Sequence, residues 1–348
     1  MKANRLPTIG GGEDNRLHAN DVTPPTALSK GVPLSGIGVI TNPLSRKNQR
    51  NPGIVGQLGY VLGEKGDLQQ PGDLDALDEV AARFHERGID ILCVNGGDGT
   101  IHKALTALKG VYGDAPLPQV ALLPGGTMNI IANSVGARGK PADVLHHVVR
   151  AYHADQPLRT TPRSLLKITS EGLDTQYGFL FGNGIIAGFL EAYYEGGQPT
   201  PAKAARVLAH GVMSTMVNGK YVKRLLKPFR GTLTLDGKDW PEKEWTAVAV
   251  GTVEQLGLGF SPFRHVIGNP GQMHVNGIGG SVIDLMWELP RTYRGAPLAR
   301  PGNHDGACRE LVLQSETSQS FMIDGDFHRG DREVTLAIAD TIDFILTN

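Results

Sequence analysis

Apolar and polar positions fall into blocks along this chain, and the character of the blocks changes once. From about residue 35 to 158, short continuous apolar runs alternate with stretches of helical period. Ser35–Thr41, Ile89–Val94 and Val120–Leu123 are such runs, and strands buried on both faces read this way. Between them, Leu74, Leu77, Val80, Ala81 and Phe84 recur at helical spacing, predicting an amphipathic helix over Leu74–Arg87. Strand, loop and helix then follow twice, at 89–108 and 119–136, and a further helix is predicted from Ala142 to His153. This order predicts an open α/β domain over residues 35–158.

The pattern changes near Pro162. Short β-like runs follow at Ser164–Thr169, Gln176–Phe181, Gly231–Leu235, Thr246–Val250, Met273–Val275, Glu310–Leu313, Ser320–Ile323 and Glu333–Ile338. They predict an antiparallel β domain over 159–330, followed by final strands in 331–348. A helical insert at 202–226 interrupts them. No internal repeat is present.

Composition narrows the class. With 348 residues, 40% hydrophobic and 20% charged, the chain can support two domains with real cores. A formal net charge of -1 gives no global basic field, so nucleic acid is not an expected partner. Cys93 and Cys308 are too few and too far apart for a disulfide framework, which makes a reducing cytoplasm the default. Cys93 reads as a small core residue. No apolar run approaches the roughly 20 residues of a membrane-spanning helix. Residues 1–34 are polar, lack the apolar stretch of a secretory signal and read as a disordered tail.

The insert differs from this neutral background. Gly196–Leu235 contains no Asp or Glu, but it holds Lys203, Arg206, Lys220, Lys223, Arg224, Lys227 and Arg230. A cationic surface on a near-neutral protein suits an anionic partner such as lipid headgroups, though a solvated helix face explains it about as well. Met213, Met216, Val217, Val222, Leu225 and Leu226 suit either a core or a lipid pocket.

The candidate chemistry lies in two loops. Asn95-Gly96-Gly97-Asp98-Gly99-Thr100 joins a strand to a helix predicted to open near Ile101. Pro124-Gly125-Gly126-Thr127-Met128-Asn129 does the same one βαβ unit later, with Thr127 as the expected N-cap. Glycines allow close backbone approach to a ligand, and helix N-termini favour anions. Both loops would lie at the carboxyl ends of parallel strands, where open α/β sheets bind ligands. Asp98 sets a carboxylate beside the first.

In order, Asn42-Pro43, Gly96–Thr100, Pro124–Asn129 and Asp324-Gly325-Asp326 match a family. The chain resembles the diacylglycerol kinase and sphingosine kinase catalytic-domain family, including bacterial lipid kinases and ceramide kinases, over about residues 35–346. The GGDGT-type loop alone also occurs in NAD kinases and phosphofructokinases; its pairing with PGGTMN points to the lipid kinases. The resemblance implies an N-terminal nucleotide-binding α/β domain, a C-terminal antiparallel β-sandwich that binds lipid, and a site between them. It implies ATP held by Thr41, Asn42, Gly96, Gly97, Gly99, Thr100, Gly125, Gly126, Thr127 and Asn129, and Mg²⁺ by Asp98 and Asp326. Asp324 corresponds to the acid proposed as general base in bacterial members, whereas sphingosine kinases assign that role at the position of Asp98. Glu191, at the end of Gly182–Glu191, is the acid nearest to a substrate-headgroup position. An enzyme of this kind is expected in the cytoplasm, attached peripherally to the inner face of the membrane through Lys220, Lys223, Arg224 and Lys227.

Four positions depart from the family pattern. Arg46 and Lys47 follow Asn42-Pro43-Leu44-Ser45, where NPxSG is common. Ile130 stands where many bacterial diacylglycerol kinases carry Asp, which keeps ceramide and sphingoid bases open as substrates beside diacylglycerol. Asp326 replaces a usual Glu. Asn269-Pro270-Gly271 occupies the region where some members hold a second, structural Mg²⁺ with acids. Two other readings stand beside the lipid kinase: a soluble-substrate kinase such as a NAD kinase, and a non-catalytic lipid- or nucleotide-binding protein of the same fold. The sequence leaves oligomeric state open.

Overall fold

Val39, Ile91, Cys93, Ala121 and Leu123 turn to one side of a parallel sheet, while Ile40, Leu92, Val94, Val120 and Leu122 turn to the other. That double burial is why these strands read as continuous apolar runs. The computed structural model describes residues 36–64, 66–195, 200, 202–203, 206–207, 209–211, 228–266 and 269–347. The N-terminal tail and the insert cations Lys220, Lys223, Arg224 and Lys227 therefore lie outside the described residues, as do the insert apolar residues from Met213 to Leu226.

The first half comprises β1 (Ile37–Thr41), α1 (Arg46–Gln49), α2 (Ile54–Leu62), β2 (Asp67–Gln69), α3 (Leu74–Arg87), β3 (Ile91–Gly96), α4 (Asp98–Tyr112), β4 (Gln119–Pro124), α5 (Ile130–Ser134) and α6 (Pro141–His153). β4, β3, β1 and β2 are parallel neighbours in that order. α3 and α4 pack on one face, α2 and α6 on the other. α3 has the bounds its periodicity predicts. Asp73 caps it by accepting the Ala76 N–H at 2.9 Å, and Gly88, in the left-handed region at φ 58°, ends it. Leu74 is the exception: it is 59% exposed at the first turn and faces a cavity rather than the core.

The second half comprises β5 (Thr160–Ser170), β6 (Leu173–Gly178), β7 (Leu180–Gly184), α7 (Ile185–Tyr194), β8 (Phe229–Leu235), β9 (Lys238–Asp239), β10 (Glu244–Trp245), β11 (Ala247–Gly251), β12 (Met273–Ile278), α8 (Val282–Tyr293), β13 (Asn303–Cys308), β14 (Glu310–Ser315), β15 (Gln319–Ile323), β16 (Asp326–Gly330) and β17 (Glu333–Ile345). β13, β12, β11, β7, β15 and β16 form an antiparallel sheet in that order. It packs on β5, β8, β14 and β17 through Phe181, Val250, Val275 and Phe321 against Leu166, Leu233, Leu313 and Leu336. The thirteen-residue β17 pairs antiparallel with β5 and β14, then runs parallel beside β4 at Phe344–Val120. The parallel strands and the C-terminal strands thus share one sheet.

The structure revises two expected elements. The run Gln176–Phe181 is two strands, because the chain leaves one sheet at Gly178 and enters the other at Leu180. At the break, the Phe179 N–H is taken by the Asp324 carboxylate instead of a neighbouring strand. Helix α8 was not among the expected elements, although Ser281 and Asp284 form a capping box at its start. Cys93 and Cys308 are buried free thiols, and burial pushes both up to about 12. Among the described residues, no helix is long and apolar enough to cross a membrane.

Candidate active site

The loops at the ends of β1, β3 and β4 are joined by buried amide chemistry. Thr41 Oγ1 donates to Asn95 Oδ1 at 2.8 Å, and Asn48 Nδ2 donates to the same oxygen at 2.7 Å and to the Asn42 carbonyl at 2.8 Å. Asn95 Nδ2 returns a bond to the Leu123 carbonyl at 3.1 Å. Asn42 Nδ2 reaches Thr100 Oγ1 at 3.1 Å. Sequence reasoning named Thr41, Asn42 and Thr100 as site residues but missed the part of Asn48, whose only signal is its place six residues after Asn42.

The glycines are explained by close packing. A Cβ on Gly126 would sit 2.4 Å from the Gly97 Cα, so the two loops touch backbone to backbone. A Cβ on Gly96 would strike Thr100 at 2.4 Å, one on Gly125 would meet Asn48 at 2.9 Å, and one on Gly99 would meet Asp326 at 3.0 Å. The first loop is shorter than expected, because α4 opens at Asp98 with Gly97 as its N-cap. Thr127 is not the N-cap of α5. That place belongs to Asn129, in the left-handed region at φ 48°, whose side chain bonds Gly126 N and O at 2.9 and 3.2 Å. Asp98 serves α5 from the other loop, accepting the Ile131 N–H at 3.0 Å. Gly96, Gly125 and Asn129 lie behind the cavity wall; Thr41, Asn42, Gly97, Gly99, Thr100, Gly126 and Thr127 line it.

Three carboxylates meet these loops. Asp324 and Gly325 make a tight turn between β15 and β16, with φ 47° and 91°. Asp324 is 3% exposed; its Oδ1 accepts the Leu180 N–H at 2.8 Å, and the Phe179 N–H is shared between Oδ1 at 3.2 Å and Oδ2 at 3.0 Å. Only glycine fits at 178, where a Cβ would lie 2.5 Å from Asp324 Oδ2. Burial holds the Asp324 carboxyl well above the usual carboxylate range. The charges of Asp98 and Asp326 add to that shift, against the amides of Phe179 and Leu180. Burial also raises Asp98, against the backbone N–H groups of α5. Asp326 stands over the start of α4, with Oδ2 3.4 Å from Lys103 Nζ and without a hydrogen bond among the described residues. Tyr194 ties the turn to α7 by donating to the Gly325 carbonyl at 3.2 Å, and burial, with Asp326 next, pushes its hydroxyl up to about 12. Lys103 and Tyr194 were not foreseen, although Lys103 follows Gly99 by one helical turn.

These groups occupy one end of a cavity of about 1050 Å³. Beside the carboxylates it extends between the 42–49 and 70–77 segments, where Leu74 and Leu77 form part of the wall. Away from them it becomes apolar, bounded by Ile186, Phe189 and Leu190 of α7 and by Leu285, Met286 and Leu289 of α8. Ile130 also lines it, packed beside Leu256 and Leu258. Glu191 is not brought here: it stands exposed on α7, outside the lining. Asn269-Pro270-Gly271 lies in a loop where the Gly271 N–H bonds Ser164 Oγ at 2.8 Å. Nearby, His265, His274 and Asp305 form a cluster of metal-ligating types. Their contacts are internal: Arg264 donates to Asp305 at 2.8 Å, and the His265 N–H donates to His274 Nδ1 at 3.1 Å.

Residues 36–156 match the family model described as the diacylglycerol kinase catalytic domain. Among solved structures, a diacylglycerol kinase from Bacillus anthracis str. Sterne is similar with a TM-score of 0.60 and 16% identity, over 90% of this chain and 97% of that one. Two further structures, of a proposed diacylglycerol kinase from the same strain, give a TM-score of 0.62 at 16% identity and the same coverage. At that identity the likeness establishes the fold. A search of curated protein sequences gives no match.

Proposed function

We propose that this chain, which carries a diacylglycerol kinase catalytic domain at residues 36–156, is an ATP-dependent lipid kinase. The acceptor is the hydroxyl of an amphipathic lipid: a diacylglycerol, a ceramide or a sphingoid base. One observation carries the reading: a single cavity joins the paired glycine loops and their carboxylates to an apolar chamber between α7 and α8. A soluble acceptor such as NAD has no use for that chamber.

The carboxylates suit a divalent cation. Among the described residues Asp326 Oδ2 lacks a hydrogen bond, and the charges of Asp98 and Asp326 raise the cost of ionising Asp324. Asp98, Asp324 and Asp326 do not form a set with oxygens all within 4.8 Å. This favours one or two carboxylates on the ion, with phosphate oxygens and water completing the shell, as Mg²⁺ prefers. Asp98 and Asp326 are the assigned pair. Mg²⁺ bound there would neutralise charge on the transferring phosphoryl group.

Asp324 is the assigned base. Its raised pKa makes it a stronger proton acceptor than an ordinary carboxylate, and Oδ2, which accepts only the shared Phe179 N–H, is the freer oxygen. The lipid hydroxyl gives its proton to Oδ2 as its oxygen bonds the γ-phosphorus, and the bond to the bridging oxygen breaks to release ADP. The Phe179 and Leu180 amides hold the carboxylate in place. Lys103, beside Asp326, supplies positive charge at the phosphate end. A lipid acceptor also implies peripheral contact with the cytoplasmic face of a membrane.

The test is transfer of label from γ-labelled ATP with Mg²⁺ to diacylglycerol, ceramide, sphingosine and NAD in mixed micelles. Label in one lipid, lost in Asp324→Asn, is expected. Label in NAD alone, or ATP binding without transfer to any acceptor, would overturn the reading.

A further inference from the structure

We infer that α8 docks on an anionic bilayer surface, through a face adjoining the apolar chamber; this rests on the lipid-kinase reading. The helix is apolar over more of its circumference than the chamber uses. At 100° per residue, Val282, Leu285, Met286 and Leu289 form the stripe that lines the cavity. Ile283, Trp287 and Pro290 fall on the adjoining arc, and it is open: Ile283 is 56% exposed, Trp287 62%, and Tyr293, at the helix end, 56%. An ordinary surface helix presents charge there.

The charges are sorted as well. The acids of α8 are engaged within the protein. Asp284 closes the capping box with Ser281, and Glu288, fully buried, accepts the Ala299 and Arg300 N–H groups at 2.8 and 2.6 Å. Arg294 and Arg300 are exposed beside the apolar arc, and the Arg300 guanidinium lies 5.6 Å from the centre of the Trp287 ring. Tryptophan and tyrosine with flanking arginines is the side-chain set of a bilayer interface: the rings sit at headgroup level and the cations meet anionic headgroups. The bilayer is favoured over a protein partner because the open arc continues into the cavity-lining stripe of the same helix. Leu285, Met286 and Leu289 of that stripe line the same cavity as Met322, two residues before Asp324.

The chain has three tryptophans, of which Trp245 is fully buried and Trp240 half-buried, so Trp287 is a natural probe. The full-length protein is titrated, without ATP, with phosphatidylglycerol vesicles whose acyl chains carry bromine, and with phosphatidylcholine vesicles. Expected with phosphatidylglycerol are a blue shift and quenching, both absent in Trp287→Phe. Ile283→Asp and Arg294→Glu should each weaken vesicle partition tenfold or more with unchanged circular dichroism. Transfer to a short-chain, water-soluble form of the lipid that the wild type labels should survive both substitutions. Vesicle binding that leaves Trp287 emission unmoved, undiminished partition in both variants, or no binding to phosphatidylglycerol vesicles would each overturn the proposal. Loss of transfer to the soluble acceptor in the wild type would instead strike the kinase reading.

Discussion

The two ends of the cavity are built on opposite plans. At the glycine-loop end, nearly every group has a named partner: Asn48 on Asn95, Asn129 on Gly126, Asp98 on Ile131, Asp324 on Phe179 and Leu180. Gly96, Gly97, Gly99, Gly125 and Gly126 of the two loops each have a neighbour 2.4–3.2 Å from where a Cβ would stand. At the far end, Phe189, Leu190, Leu285 and Met286 enclose space by bulk alone. The glycine-loop end specifies identity atom by atom; the apolar end specifies volume. Substitutions should therefore be judged by geometry at one end and by size at the other.

The largest expected effect tests the division of labour among the acids. Asp324→Asn should lower kcat by about 10²–10⁴ while ATP still binds, the range of a lost general base. Asp98→Asn should chiefly raise the Mg²⁺ concentration needed for half-maximal rate. If the pH–rate profile loses its acidic limb in Asp98→Asn and keeps it in Asp324→Asn, the two roles are exchanged.

Next comes the contact between the loops. Gly126→Ala places a methyl 2.4 Å from the Gly97 Cα, and overpacking of this kind costs about 1–3 kcal/mol. Calorimetry should show a lowered Tm together with weaker nucleotide binding. An unchanged Tm would mean that the loops are not packed as described.

Stability should also depend on pH through these groups. Burial holds the folded Asp324 carboxyl well above the usual carboxylate range, so the folded chain keeps a proton that the unfolded chain releases. That contribution is complete below the unfolded pKa and is lost as pH rises through the folded one. His274 and His328 act oppositely: burial, then a neighbouring histidine, lowers each from 6.5 to about 4. Their contribution is present above the unfolded value and is lost as pH falls towards about 4. The Tm of Asp324→Asn should therefore gain on the wild type as pH rises, while both fall together in acid through the histidines. Parallel Tm curves across the whole range would remove the buried-proton argument.

The smallest effect belongs to the apolar end. Leu285→Met conserves volume and should cost less than about 1.5 kcal/mol. Thermal melts should barely move, and preference among acceptors of different acyl length should shift while the pH–rate profile stays put. A large loss of stability would show that this wall is as tightly specified as the loops.

What the sequence disclosed follows the same division. The strands of the parallel sheet and α3 were legible because burial on both faces and a strict helical stripe leave local signatures. The two glycine loops and Asp324 were legible as motifs, but the reason for the glycines was not, since Gly97 against Gly126 and Gly99 against Asp326 are contacts between distant segments. The same limit hid the sheet change inside Gln176–Phe181, which depends on a carboxylate 145 residues away. Helix α8 had a local signal in Ser281, Asp284 and its apolar spacing, masked by Pro290 within the helix. Thr127 was misread as a cap because the left-handed turn at Asn129 moves the start of α5 by two residues.

The last strand has a consequence for how the protein can be divided. β17 serves β5 and β14 along most of its length and β4 at its end. A fragment ending near residue 156 would leave the outer edge of β4 unpaired, and would strip Phe344 and Ile345 from the cores beneath it. The segment at residues 36–156 is therefore not a separable part. β17 completes the layer that β4 belongs to, so that layer can close only after residues 333–345 have been synthesised.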